Sequence, residues 1–176
     1  HLKLKSKEFW LSYYDPRRFG AMQIFSLKDF ETFYHALPID LVSPLFTHSH
    51  LKKILSQKKK SVIKSLLLDQ NYFPGSGNYM ASEICALANI LPTTLCGDIK
   101  NTQKLLKAIL NVTLPAIQNG GVTFQGGYKN TQGERGEGVK GLVVFHQKIC
   151  GICKKSNVEK IIINTRMTYY CPSCQK

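Results

Sequence analysis

Cys150 and Cys153 form one Cys-x-x-Cys pair and Cys171 and Cys174 a second, with seventeen residues between the pairs. Each pair can sit on a tight turn that presents two thiolates to one side, and two such turns complete a tetrahedral four-thiolate zinc site. Gly151 and Pro172 suit those turns. Four protein thiolates leave no open position for water, so a site of this kind holds one structural zinc and performs no catalysis. Residues 142–176 are too few to fold on apolar burial alone, so the metal would supply the missing stability. The rival reading is two disulfides or a redox pair. The first residues carry no secretory pattern, which disfavours disulfides, and redox pairs usually occur singly beside a βαβ unit. Cys85 and Cys96 lie in apolar helical surroundings and read as small core residues.

A second candidate is Phe73-Pro-Gly-Ser-Gly-Asn78, which leads into Tyr79-Met-Ala-Ser-Glu83. Gly75 and Gly77 let the backbone approach a partner closely, and Asn78 sits where a helix begins. Free N–H groups and the helix dipole there can cradle phosphate. The pattern is too short for a dinucleotide fingerprint, and a plain corner between two helices explains it as well.

Charge favours a polyanionic partner. The chain has 176 residues, 24 Lys and Arg against 11 Asp and Glu, and a formal net charge of +13. Six lysines and no acid lie between Lys52 and Lys64, and seven basic residues against only Glu159 lie between Lys140 and Lys176. Two such stretches could converge on one phosphate backbone, which puts nucleic acid ahead of a basic amphipathic membrane helix. No run approaches the roughly 18 apolar residues that span a bilayer. A soluble, intracellular monomer (cytoplasm, nucleoid or nucleus) that does not engage membrane is expected.

The elements that must position these residues follow from periodicity. Residues 1–25 carry strand signals: Leu2 and Leu4, then Phe9, Leu11 and Tyr13, alternate with polar neighbours. Ala21–Phe25 reads as a second strand, joined through Asp15–Gly20. Two strands bury too little to stand alone, and the chain opens on His1 inside a strand-like run, so residues 1–25 read as the last strands of a larger sheet. Helices are expected at Ser26–Leu37, Phe46–Ser56, Lys59–Asp69, Asn78–Asn89 and Asn101–Asn119, the last bent near Pro115. Residues 125–141 are Gly-rich and polar, a mobile loop. Leu142–Phe145, Lys160–Asn164 and Met167–Tyr170 read as strands around the cysteines. The expected fold is mainly α with a small β zinc finger: remnant strands (1–25), a helical domain (26–124), a loop (125–141) and a finger (142–176).

Four segments agree in order and spacing with one family: Asp15-Pro-Arg-Arg-Phe-Gly20, Ile63-Lys64…Leu67-x-Asp69, Gly75-Ser-Gly-Asn78-Tyr79…Ser82-Glu83, and Arg166-Met-Thr-Tyr-Tyr-Cys171-Pro-x-Cys174-Gln175. Through them the chain resembles the C-terminal part of the formamidopyrimidine-DNA glycosylase/endonuclease VIII family over nearly its whole length. The resemblance implies a helix–two-turns–helix DNA-binding domain followed by a zinc finger. It also implies a bifunctional base-excision enzyme that flips a damaged base from duplex DNA, cuts its glycosidic bond and nicks the strand by β-elimination. Lys64, Asn78 and Arg166 would bind phosphates flanking the lesion or abasic site. Arg17 would face the orphaned base and Phe19 would wedge into the stack, offsetting the lost stacking; an ordinary turn with solvated arginines is the plain alternative for Asp15–Gly20. The 125–141 segment lies where some relatives carry a loop that closes over the flipped base.

The family's nucleophile is the amine of an N-terminal proline followed by an acid, a free amine being needed for the Schiff base. No such Pro-Glu start and no catalytic lysine of the missing sandwich occur here, so the resemblance implies that this chain alone lacks lyase activity. A non-catalytic zinc-containing nucleic-acid-binding module, for DNA or structured RNA, is the alternative. A zinc-stabilised protein-interaction domain leaves the +13 charge without a purpose.

Overall fold

The computed structural model describes residues 2–15, 20–122, 124 and 133–176. Its contacts divide the chain into two compact units, His1–Leu37 and Pro38–Lys176.

In the first unit, β1 (Leu2–Lys5) pairs antiparallel with β2 (Trp10–Tyr13), Leu2 opposite Tyr13 and Lys5 opposite Trp10. Ser6 closes the turn: its Oγ accepts from the N–H groups of Glu8 and Phe9, at 3.1 and 3.0 Å. The alternating run at Leu2–Tyr13 is therefore itself the hairpin. Ala21–Phe25, expected as its partner, forms no strand; β1 pairs instead with β2, which reaches it through the shorter connection. Helix α1 (Leu27–His35) begins at Ser26, whose Oγ accepts from the Asp29 N–H at 3.2 Å and donates to the Asp29 carboxylate at 2.7 Å. No residue of α1 is buried.

The second unit is built on four helices: α2 (His48–Gln57), α3 (Ile63–Leu67), α4 (Asn78–Ala88) and α5 (Thr102–Gln118). Thr47 caps α2 through the His50 N–H, and Asn101 caps α5 through the Lys104 N–H. Asn89 ends α4 in the left-handed region, φ 60°, which asparagine adopts more readily than other side chains. Leu51, Ile63, Leu67, Phe73, Ile84 and Ile109 bury the apolar stripes of these helices in one core. The run Lys59–Asp69 yields a shorter helix than its periodicity suggests. Val62 bridges Leu95 and the Ile63 N–H donates to Thr94 O, which holds residues just before α3 extended. Helix α5 runs through Pro115 to Gln118.

Between α3 and α4 lie two successive turns, closed by Phe73 N–H to Asp69 O at 2.8 Å and Ser76 N–H to Phe73 O at 3.1 Å. This is the helix–two-turns–helix arrangement. After α5, Val122 bridges Glu137 and a 3-10 turn covers Gly138–Gly141. Residues 125–132 of the expected loop fall outside the described residues. Leu142–Phe145, expected as a strand, pairs with no strand among the described residues: the N–H groups of Val143, Val144 and Phe145 donate to the Glu83 carboxylate instead. The finger then adds one antiparallel hairpin, β3 (Glu159–Ile163) with β4 (Arg166–Tyr170), in register Ile163 opposite Arg166. Val144, Phe145 and Tyr169 pack with Ala86 of α4 in a second, smaller core.

Candidate metal centre and nucleic-acid interface

The two Cys-x-x-Cys turns meet. The Lys154 N–H donates to Cys150 O at 2.8 Å in the first, and the Gln175 N–H donates to Cys171 O at 3.0 Å in the second. All four Sγ atoms lie within 4.8 Å of one another. Cys150 and Cys174 are 3.9 Å apart, and Cys153 and Cys171 are 3.8 Å apart. A tetrahedron with Zn–S bonds of about 2.3 Å has edges of about 3.8 Å, whereas a disulfide would bring two sulfurs to about 2.05 Å. The cluster is thus compatible with a zinc site. Backbone N–H groups of Ser156 and Lys155 lower the Cys153 thiol to about 6. Burial, then the neighbouring thiols, push Cys174 up to about 12. Four sulfurs this close ionise together only around a cation. Gln175 locks the second turn to the helical unit: it is 1% exposed, accepts from the Cys171 N–H at 2.7 Å and donates to Ile90 O at 2.8 Å.

Helix α4 is the strut that carries the rest. Gly75 lies at φ 77°, a conformation that glycine adopts without strain, and Gly77 at the N-cap supplies no side-chain acceptor. The first-turn N–H groups of α4 therefore keep no intrahelical or side-chain partner. Beside them, Ser76 Oγ and Asn78 Oδ1 are buried without a hydrogen-bond partner. Ser76 Oγ can donate to an anion at this helix start, whereas Asn78 Oδ1 can only accept, so a donor such as water would complete its bonding. The Asn78 Nδ2 donates to Met167 O of β4 at 2.9 Å, next to exposed Arg166. Asn78 and Arg166, 88 positions apart in sequence, are brought together.

Lys64 is placed differently from the expected phosphate contact. It is fully buried, with its ammonium donating to Asn78 O at 2.7 Å and Ser82 Oγ at 2.8 Å. Its own N–H donates to Pro92 O at 3.2 Å, and its side chain runs inward to the start of α4. Burial lowers the ammonium to about 8, against the opposing pull of Cys85 and Glu83. Of the six clustered lysines, Lys52, Lys53, Lys59 and Lys60 remain exposed, and Lys58 lies 4.9 Å from the Tyr72 ring centre. Arg17 and Phe19 fall outside the described residues.

Sequence reasoning gave Glu83 no role. Its carboxylate accepts the N–H groups of Val143 at 2.7 Å, Val144 at 2.9 Å and Phe145 at 2.7 Å, and so moors the finger to α4. Desolvation raises its pKa and those three donors oppose the rise. The available signal was an acid inside the run Met80–Ala88, whose other members are apolar except Ser82.

No family model matches the chain. It is 36% identical to the formamidopyrimidine-DNA glycosylase of Trichodesmium erythraeum, over 97% of this chain and 59% of that protein. It is 36% identical to the namesake of Ureaplasma parvum, over 94% of this chain and 61% of that protein. The one from Rhizorhabdus wittichii is 34% identical, over 100% of this chain and 66% of that protein. The chain therefore spans about three fifths of the length of the first two. The MutM (Fpg) crystal structure from Thermus thermophilus superposes with a TM-score of 0.83 at 25% identity, over 98% of this chain and 67% of that one. Lactococcus lactis Fpg in complex with DNA containing an abasic site gives 0.84 at 25% identity, over 99% of this chain and 65% of that one.

Proposed function

The chain belongs with the formamidopyrimidine-DNA glycosylases by sequence and by fold, and we propose that it is the DNA-gripping part of a base-excision DNA glycosylase with abasic-site lyase activity. The observation that carries this reading is the Asn78–Met167 hydrogen bond, which joins the open start of α4 to the exposed arginine of the finger. Asn78 and the first-turn N–H groups of α4 take one phosphate and Arg166 a second on the same strand, where N–H donors and a planar guanidinium suit phosphate oxygens. Lys64 adds positive charge from beneath without contact. Arg17 and Phe19 fill the gap left by the flipped base. Cys150, Cys153, Cys171 and Cys174 hold one structural zinc, which stabilises the finger and takes no part in the chemistry. None of these residues is assigned the nucleophile's role; they bind, bend and hold the duplex for that step.

Fluorescence anisotropy with a duplex carrying an abasic-site analogue tests the reading. Asn78→Ala and Arg166→Ala should each weaken binding by about 1–3 kcal/mol. Arg166→Ala should also make the dependence on log salt shallower by about one. Unchanged affinity in both variants rejects the interface.

A further inference from the structure

The finger hairpin turns through two residues, Asn164 and Thr165, at φ 48° and 63°. Left-handed backbone at both positions matches the twist of the flanking strands, and Asn-Gly is the favoured pair there. Asn164 suits the first position. Thr165 does not suit the second: it is the only β-branched residue with positive φ among the described residues, and such a conformation is strained. Strain of this kind persists only where surroundings hold it. Here the Thr165 hydroxyl donates to Asn164 O at 2.6 Å, and the Asn164 Nδ2 donates to Ser65 Oγ at 2.8 Å. Ser65 lies on α3, directly after Lys64, whose ammonium holds Asn78 O.

The hairpin is thus pinned on both sides of one residue. The Asn164–Ser65 bond fixes the tip, the Met167–Asn78 bond fixes the strand, and Arg166 stands between them. We propose that Ser65 and Asn164 are positioning residues that aim the Arg166 guanidinium at the DNA backbone. The proposal rests on the reading that Arg166 contacts DNA. The fold itself has little need of the bond: five residue pairs close the hairpin, and the cysteine turns anchor its base. An exposed hydrogen bond between modules 99 residues apart is therefore expected to act on binding and not on folding.

The test uses the zinc-loaded 176-residue chain and the abasic-analogue duplex. Ser65→Ala should weaken binding about three- to tenfold, the range of one hydrogen bond, with the salt dependence unchanged because no charge is lost. Ser65→Thr should restore it. In an Arg166→Ala background, Ser65→Ala should have no further effect, since the interaction it serves is gone. Asn164→Gly, which keeps the turn geometry, tests the same bond from the other side should Ser65→Ala lose zinc. If Arg166→Ala weakens binding while Ser65→Ala and Asn164→Gly bind like the parent, the positioning role is overturned and the DNA interface stands. Additive losses in the double variant also overturn it. If Arg166→Ala binds like the parent, the interface reading fails and takes this inference with it.

Discussion

Replacing Lys64 by Met removes a buried charge while keeping most of the side-chain volume. The Ser82 hydroxyl still donates to Asn78 O at 3.1 Å, so the start of α4 keeps one of its internal bonds. A phosphate held on the first turn of α4 would lie roughly 6–8 Å from the ammonium, about one helical turn plus a hydrogen bond. Unit charges at that distance attract by about 2–3 kcal/mol at an effective dielectric near 20. Salt reduces this, so Lys64→Met should lose between about tenfold and 100-fold in affinity for abasic-analogue duplex. The same charge sets a pH signature. Burial holds the ammonium at about 8, below its ordinary 10.5, with Cys85 and Glu83 pulling the other way. A polyanion favours the charged form, so the contribution is complete below pH 8 and declines as pH rises above it, by at most about one decade per unit. Anisotropy titrations from pH 6.5 to 9.5 on parent and variant measure both effects. A variant that binds as tightly as the parent, or that keeps the same alkaline decline, refutes the charge-from-beneath argument.

Chelation should release one zinc per chain, abolish duplex binding and expose residues 142–176 to hydrogen exchange, because the finger's second core alone is small; full affinity in chelator would refute the finger's part in the grip. Glu83→Ala leaves two buried N–H groups and one half-buried one without an acceptor and should destabilise the second unit by roughly 3 kcal/mol or more; Glu83→Gln, which keeps one carbonyl oxygen, should cost less, and denaturant midpoints of the two distinguish them. Borohydride trapping on abasic-site DNA should give no covalent adduct with the 176-residue polypeptide, and a trapped band would place the nucleophile among these residues.

What was legible in the residues was local. Each cysteine pair spans four positions, so the spacing alone defined two thiolate turns, and Gly75 and Gly77 marked the opened start of α4 for the same reason. Helical periodicity located the core stripes, since burial of one face is what an amphipathic run encodes. Tertiary structure decided the partners. Lys64 sits in a run of lysines and is indistinguishable there from its solvated neighbours; only the packing of α3 behind α4 turns it inward. Glu83 meets donors about 60 positions away and Ser65 one 99 away, and periodicity reports which face is covered, never by what. Ala21–Phe25 reads as a strand but forms none: an apolar run describes a chain's readiness to pair, while the partner is chosen in three dimensions, and β1 pairs with the nearer run Trp10–Tyr13.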